Sequence, residues 1–164
     1  MHLPDDFDPA ERGERARAIF QEGYNCCQAV LLAFADVLEA NALAEEDLLK
    51  SVGSGFGGGF GRMREVCGAF SGCTVLSGFL SPAVTPGHDS RTANYALVQE
   101  LAADFRERNG GSIICGELLG LRERKADGPE PSERTTEYYR KRPCPEIVRN
   151  AATIVAEKMK EAAI

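Results

Sequence analysis

Six cysteines stand in a chain of 164 residues: Cys26, Cys27, Cys67, Cys73, Cys115 and Cys144. Thiolate sulfur can ligate a soft metal, hold an iron–sulfur cluster or exchange with a disulfide. Histidine chemistry has little to draw on, because only His2 and His88 are present and neither lies near a cysteine motif. No pair of cysteines has the C-x-x-C spacing of a zinc ribbon or a thioredoxin-like site. Cys26 and Cys27 are adjacent, about 100° apart on a helix, and Cys67 and Cys73 would stand about 120° and about 9 Å apart on one. A site shared by several of these sulfurs must therefore be assembled from separate segments, those around Cys26, Cys67, Cys115 and Cys144.

The elements that would carry those segments read as helices. Apolar spacing predicts helices over 9–22, with Ala16, Ile19 and Phe20 on one side, and from the cap Asn25 to about residue 40, with Val30, Leu31, Phe34 and Leu38. Further helices are expected over 45–52, 64–80, about 89–108 with Asp89 or Ser90 as cap, a short turn at 115–119, and 145–162. No run alternates with period two, so the expectation is an all-α single domain, residues 1–164, of about five to seven helices. Leu31, Phe34, Leu76, Leu97, Leu101 and Ile154 should lie in its core. Residues 121–143 are charged and proline-bearing, and read as a surface excursion within that domain.

On this layout the four segments share a position. Cys26 follows the cap Asn25, Cys67 falls in the first turn after a basic loop, Cys115 opens a short turn, and Cys144 occupies a cap with Pro145 first in the helix. Each is expected at a helix N-terminus, where free N–H groups and the helix dipole favour negative sulfur. That setting would lower a thiol pKa and stabilise a thiolate. Cys27 and Cys73 have no such place, and plain core packing suits them.

Before Cys67 runs SVGSGFGGGFGRMREV. Gly53, Gly55 and Gly58 satisfy G-x-G-x-x-G, but the preceding DLLKSV reads as helix and no carboxylate stands near position 78. The dinucleotide fingerprint needs a strand before it and an acid after it, so the match carries no weight. Backbone without side chains can instead wrap a group closely and offer it N–H donors, which nominates Gly57, Gly58 and Gly59, with Arg62 beside them, as cofactor-binding. Gly68 and Gly72, four apart, would also let two helices approach closely with nothing bound.

Composition narrows the class. A net charge of −6 argues against nucleic-acid binding, which needs a basic surface. The start, MHLPDDFDPAERGER, has neither a basic head nor an apolar core, so no signal peptide is expected. The longest apolar run, 29–35, is far short of a membrane span. These features point to a cytoplasmic protein, in which cysteines serve as ligands or redox thiols more often than as staples.

The segments GYNCCQAVLLAF, SGFGGGFGRMREVCGAFSG, ICGELLG and RPCPEIV, in that order, resemble a family of redox-active proteins named for a C…CGAxxG…C…C pattern. The likeness runs over about residues 15–155 and implies that the family's four cysteines fall on Cys26, Cys67, Cys115 and Cys144. Three readings follow. In the first, the four hold one small iron–sulfur cluster, [2Fe–2S], in an electron-transfer protein, its charge offset by helix ends and glycine-loop amides. In the second, Cys67 is the catalytic redox thiol, supported by Arg62 and Arg64, and another cysteine resolves the disulfide without metal. The third is a structural Cys₄ zinc module, ranked last because such sites draw ligands in close pairs. An electron donor or acceptor protein is implied, which the sequence does not identify, and a homodimer is compatible with it.

Overall fold

Local signals start the first two helices where the sequence suggests. The computed structural model describes residues 1–123 and 125–163. Helix α1 (Pro9–Gln21) opens with Pro9 in its first turn, and the Asp8 side chain accepts from the Ala10 N–H. Helix α2 (Cys26–Leu32) opens on a reciprocal capping box: Gln28 N–H donates to the Asn25 side chain, and the Asn25 N–H donates to that of Gln28. There follow α3 (Ala35–Ala40), α4 (Glu46–Gly53), α5 (Gly57–Phe60), α6 (Gly68–Leu80), α7 (His88–Arg108), α8 (Cys115–Leu118), α9 (Thr136–Lys141) and α10 (Cys144–Ala163). Among the described residues the only β feature is one bridge between Val66 and Ile114. The all-α expectation holds, and the elements beyond those expected are pieces of one or two turns.

Three boundaries differ from the sequence reading, the first two because of partners distant in the chain. The helix expected over 25–40 breaks after Leu32, where no glycine or proline stands. The Ala33 carbonyl receives a hydrogen bond from buried Arg12 at 2.9 Å, and the same guanidinium pairs with Asp36 in the first turn of α3 at 2.6 Å. A charged donor inserted from α1 replaces the helical bond there. Helix α6 begins at Gly68 rather than Arg64, because residues 65–67 pair with 113–115: Cys67 N–H donates to Ile113 O at 2.7 Å and Cys115 N–H to Glu65 O at 2.6 Å. Helix α7 is capped by Gly87, not by Asp89 or Ser90, which lie inside its first turn. Residues 121–143 are exposed at most positions, yet they contain α9.

Helices α2, α6 and α10 pack on one another at the centre, with α1 laid along α10 and α7 against α6. Close approach of α1 and α10 requires Gly13, where a Cβ would come within 2.2 Å of Thr153 Oγ1 and 2.8 Å of Arg149 O. Leu31, Phe34, Leu76, Leu101 and Ile154 are buried in a single cluster with Phe20, Phe105 and Met159, and Leu97 is half-buried at its edge. Because Arg12 serves a buried carbonyl and a carboxylate together, Arg12→Ala should cost about 2 kcal/mol in urea unfolding. An unchanged midpoint would mean that the break after Leu32 does not depend on it.

Candidate functional site

Four helix starts meet around one cavity of about 340 Å³, and Cys26, Cys67, Cys115 and Cys144 all line it. Cys26 is the first residue of α2, Cys115 of α8 and Cys144 of α10, while Cys67 is the N-cap of α6. The shared helix-start position is therefore observed, with two local exchanges: Cys67 sits at the cap instead of inside the first turn, and Cys144 inside the turn instead of at the cap. Cys27 and Cys73 are fully buried and do not line the cavity, and the Cys73 thiol donates to Ala151 O at 3.5 Å. All six thiols are free.

The glycine stretch is a left-handed turn rather than a flexible loop. Gly58, Gly59, Phe60, Gly61 and Arg62 follow one another at φ of 66°, 69°, 61°, 58° and 68°, and Arg64 has φ 61°. Holding Phe60, Arg62 and Arg64 there costs about 1 kcal/mol each or more, strain of the kind that concentrates at functional sites. The turn brings the Gly58 amide towards the Cys26 sulfur. Gly57, Gly58 and Arg62 line the cavity. Gly59 does not; a Cβ there would meet Glu65 N at 2.6 Å and Cys115 Cβ at 2.7 Å, so it supports the wall from behind.

The basic residues before Cys67 serve a different sulfur from the one expected. Arg64, nearly fully buried, points an Nη1–H at Cys115 Sγ, 3.7 Å away, and pairs closely with Asp127. Arg62 reaches the same carboxylate at 3.7 Å and donates to Ser132 Oγ at 3.1 Å. The Arg64 hydrogen bond holds the Asp127 carboxyl below its usual range. Asp127 thus fastens residues 127–134 over the cavity, where Pro129, Pro131, Ser132 and Arg134, with Tyr138 and Arg142 beyond, complete the wall. The sequence reading missed Arg134, Tyr138 and Arg142; their one signal was a run of arginine and tyrosine just before the RPC motif.

Burial overturns the expectation of lowered thiol pKa values. Desolvation pushes Cys26 up, Cys67 well up and Cys144 up to about 12, although the Gly58 amide favours the Cys26 thiolate and the Ala69 and Phe70 amides favour that of Cys67. The cavity cysteines also raise one another: Cys26 acts on Cys67 and Cys144, and Cys115 acts on Cys26, Cys67 and Cys144. At Cys26, Cys67 and Cys144 burial outweighs the help of the helix-end position. Elsewhere, burial pushes Cys73 up to about 12 and Cys27 upward as well.

The core thiols give a pH dependence with a definite sign. Unfolded thiols lose protons above about pH 8.5, while folded Cys73 and Cys27 keep theirs, so the unfolded state gains as pH rises. Their contribution to stability is complete below about pH 8.5 and is lost as pH climbs towards 12. The urea midpoint should fall between about pH 8 and about pH 10.5, and less steeply in Cys73→Ala. Equal slopes for the two proteins would show that Cys73 does not titrate in this way.

Residues 24–158 match the family described as "Putative redox-active protein (C_GCAxxG_C_C)". The chain belongs to this family. No curated protein and no solved structure matches it. The family description spells its central motif Gly-Cys-Ala-x-x-Gly, and this chain has the order Cys-Gly-Ala-x-x-Gly at Cys67, Gly68, Ala69 and Gly72. Cys67 lines the cavity, and Cys73, which follows Gly72, lies in the core. Among the described residues no three His, Cys, Asp or Glu side chains are gathered tightly enough for a metal ion. No described helix is long and apolar enough to cross a membrane.

Proposed function

We propose that this redox-family protein is an electron carrier in which Cys26, Cys67, Cys115 and Cys144 hold a small iron–sulfur cluster, [2Fe–2S]. The observation that carries the reading is that these four cysteines, from four separate helix starts, line one cavity while the other two do not. The donor set fits such a group: four sulfurs, with no carboxylate and no imidazole in the lining. The cavity between them fits it too, since four thiols spread around a void suit a polynuclear centre better than one zinc ion, whose sulfurs must all lie within about 2.3 Å of it.

Such a cluster supplies storage of one electron at a time. The protein's own groups do the rest. The Gly58 amide and the first amides of α2 face Cys26, and the Ala69 and Phe70 amides of α6 face Cys67. Arg64 places positive charge beside Cys115, and the Asp127-fastened strap covers the site. The metal-free alternative, in which Cys67 attacks a disulfide, has less support, because Cys67 is only 7% exposed and burial keeps its thiol protonated.

An equilibrium redox titration separates the two. A cluster gives a one-electron transition, about 59 mV per tenfold ratio, and a dithiol gives about 30 mV. A two-electron slope would overturn the proposal.

A further inference from the structure

Among the described residues four arginines, Arg62, Arg64, Arg134 and Arg142, line the cavity and no carboxylate does, in a chain whose net charge is −6. Asp127, with its side chain 46% exposed, is the carboxylate partner of Arg62 and Arg64. Two guanidiniums thus share one carboxylate, and the remaining positive charge faces the cavity. Arg134 is fixed in place. Its Nη1 donates to Phe20 O at 3.2 Å and its Nη2 to Tyr24 O at 3.3 Å, and its guanidinium lies 4.5 Å from the centre of the Phe20 ring. Arg142 is held only by stacking, 4.9 Å from the centre of the Tyr138 ring, and makes no side-chain hydrogen bond among the described residues. Its donor fork is oriented and unspent. Arg62 Nε is buried and has no partner either. Ser132 and Tyr138 place hydroxyl-bearing side chains on the same wall.

A guanidinium oriented by a ring, with a free fork and no carboxylate paired with it among the described residues, Asp127 feeling its charge only from beyond ion-pair contact, matches the planar two-oxygen face of an oxyanion. Within a volume of about 340 Å³, at the low end for ligand sites, the occupant must be small. We propose that the wall formed by Arg142, Arg134, Tyr138 and Ser132 binds a small molecule with an oxyanion head, a carboxylate or a sulfur or phosphorus oxyanion, beside the cysteines. This goes beyond the electron-carrier reading and holds whether or not the cysteines carry a cluster: the site would place an anionic redox substrate or effector against the sulfurs.

The test is calorimetric titration of the purified full chain, at low chloride, with inorganic phosphate, sulfate and acetate separately. Saturable binding of at least one of them is expected. Response to acetate alone identifies a carboxylate site, and response to sulfate or phosphate a tetrahedral oxyanion site. Binding should weaken about tenfold in Arg142→Gln and recover only in part in Arg142→Lys, which restores charge without the fork. The one hydrogen bond of Arg142 is its backbone N–H to Tyr138 O, which both substitutions keep, so its variants should retain the helical circular dichroism of the parent. Arg91→Gln, exposed on α7 and outside the cavity lining, should bind as the parent does. No saturable uptake of any of the three, or equal uptake by Arg142→Gln, would overturn the proposal. Iron and sulfide measured on the same samples report on the cluster separately.

Discussion

Serine in place of Cys26, Cys67, Cys115 or Cys144, one at a time, should abolish or sharply alter the visible chromophore of anaerobically prepared protein. A cluster requires its four thiolates together, and each of these sulfurs comes from a different helix start on the same cavity, so none has a substitute nearby. Cys27→Ser and Cys73→Ser should leave the chromophore in place. Both side chains are fully buried in the core, and Cys73 already bonds to Ala151 O, a partner that a serine hydroxyl can keep. Those two variants should lose about 1 to 2 kcal/mol of stability from a polar group in an apolar shell, without a change of spectrum. A dithiol mechanism gives a different pattern, with two cysteines mattering greatly and the other two only modestly.

Gly68→Ala should be nearly as damaging, although it removes no sulfur. A Cβ at Gly68 would stand 2.4 Å from Cys26 Sγ and 2.7 Å from Phe56 O. The carbonyl belongs to backbone and yields little, so the sulfur must move or α6 must shift away from α2. We expect a loss of about 3 kcal/mol in urea unfolding together with loss of bound metal. Gly78→Ala on the same helix supplies the contrast. Nothing lies within 4 Å of a Cβ there, and the substitution should stabilise by about 0.5 to 1 kcal/mol. If Gly68→Ala behaved like Gly78→Ala, the close approach of Cys26 to α6 would not be a requirement of the site.

Much of this was legible in the sequence because it is local. Capping at Asn25 and the apolar spacing of Leu31, Phe34, Leu76 and Ile154 are short-range signals, and the structure follows them. Four helix starts bearing cysteine were readable for the same reason. What was not legible depends on partners distant in the chain. The break after Leu32 is made by Arg12, and the late start of α6 by Ile113 and Cys115. Arg64 belongs to Cys115 rather than to its neighbour Cys67, because Asp127 and a positive φ turn it that way. The sign of the thiol shifts was misjudged for a related reason. Helix dipoles can be read from spacing, whereas the desolvation that outweighs them exists only once distant segments close over the sulfur.

Iron and acid-labile sulfide, quantified alongside the visible spectrum of anaerobically purified protein, test the central claim most directly. The account predicts about two irons and about two sulfides per chain, with visible absorption that bleaches on reduction. Colourless, iron-free protein that instead cycles two thiols with a dithiol reductant would contradict it.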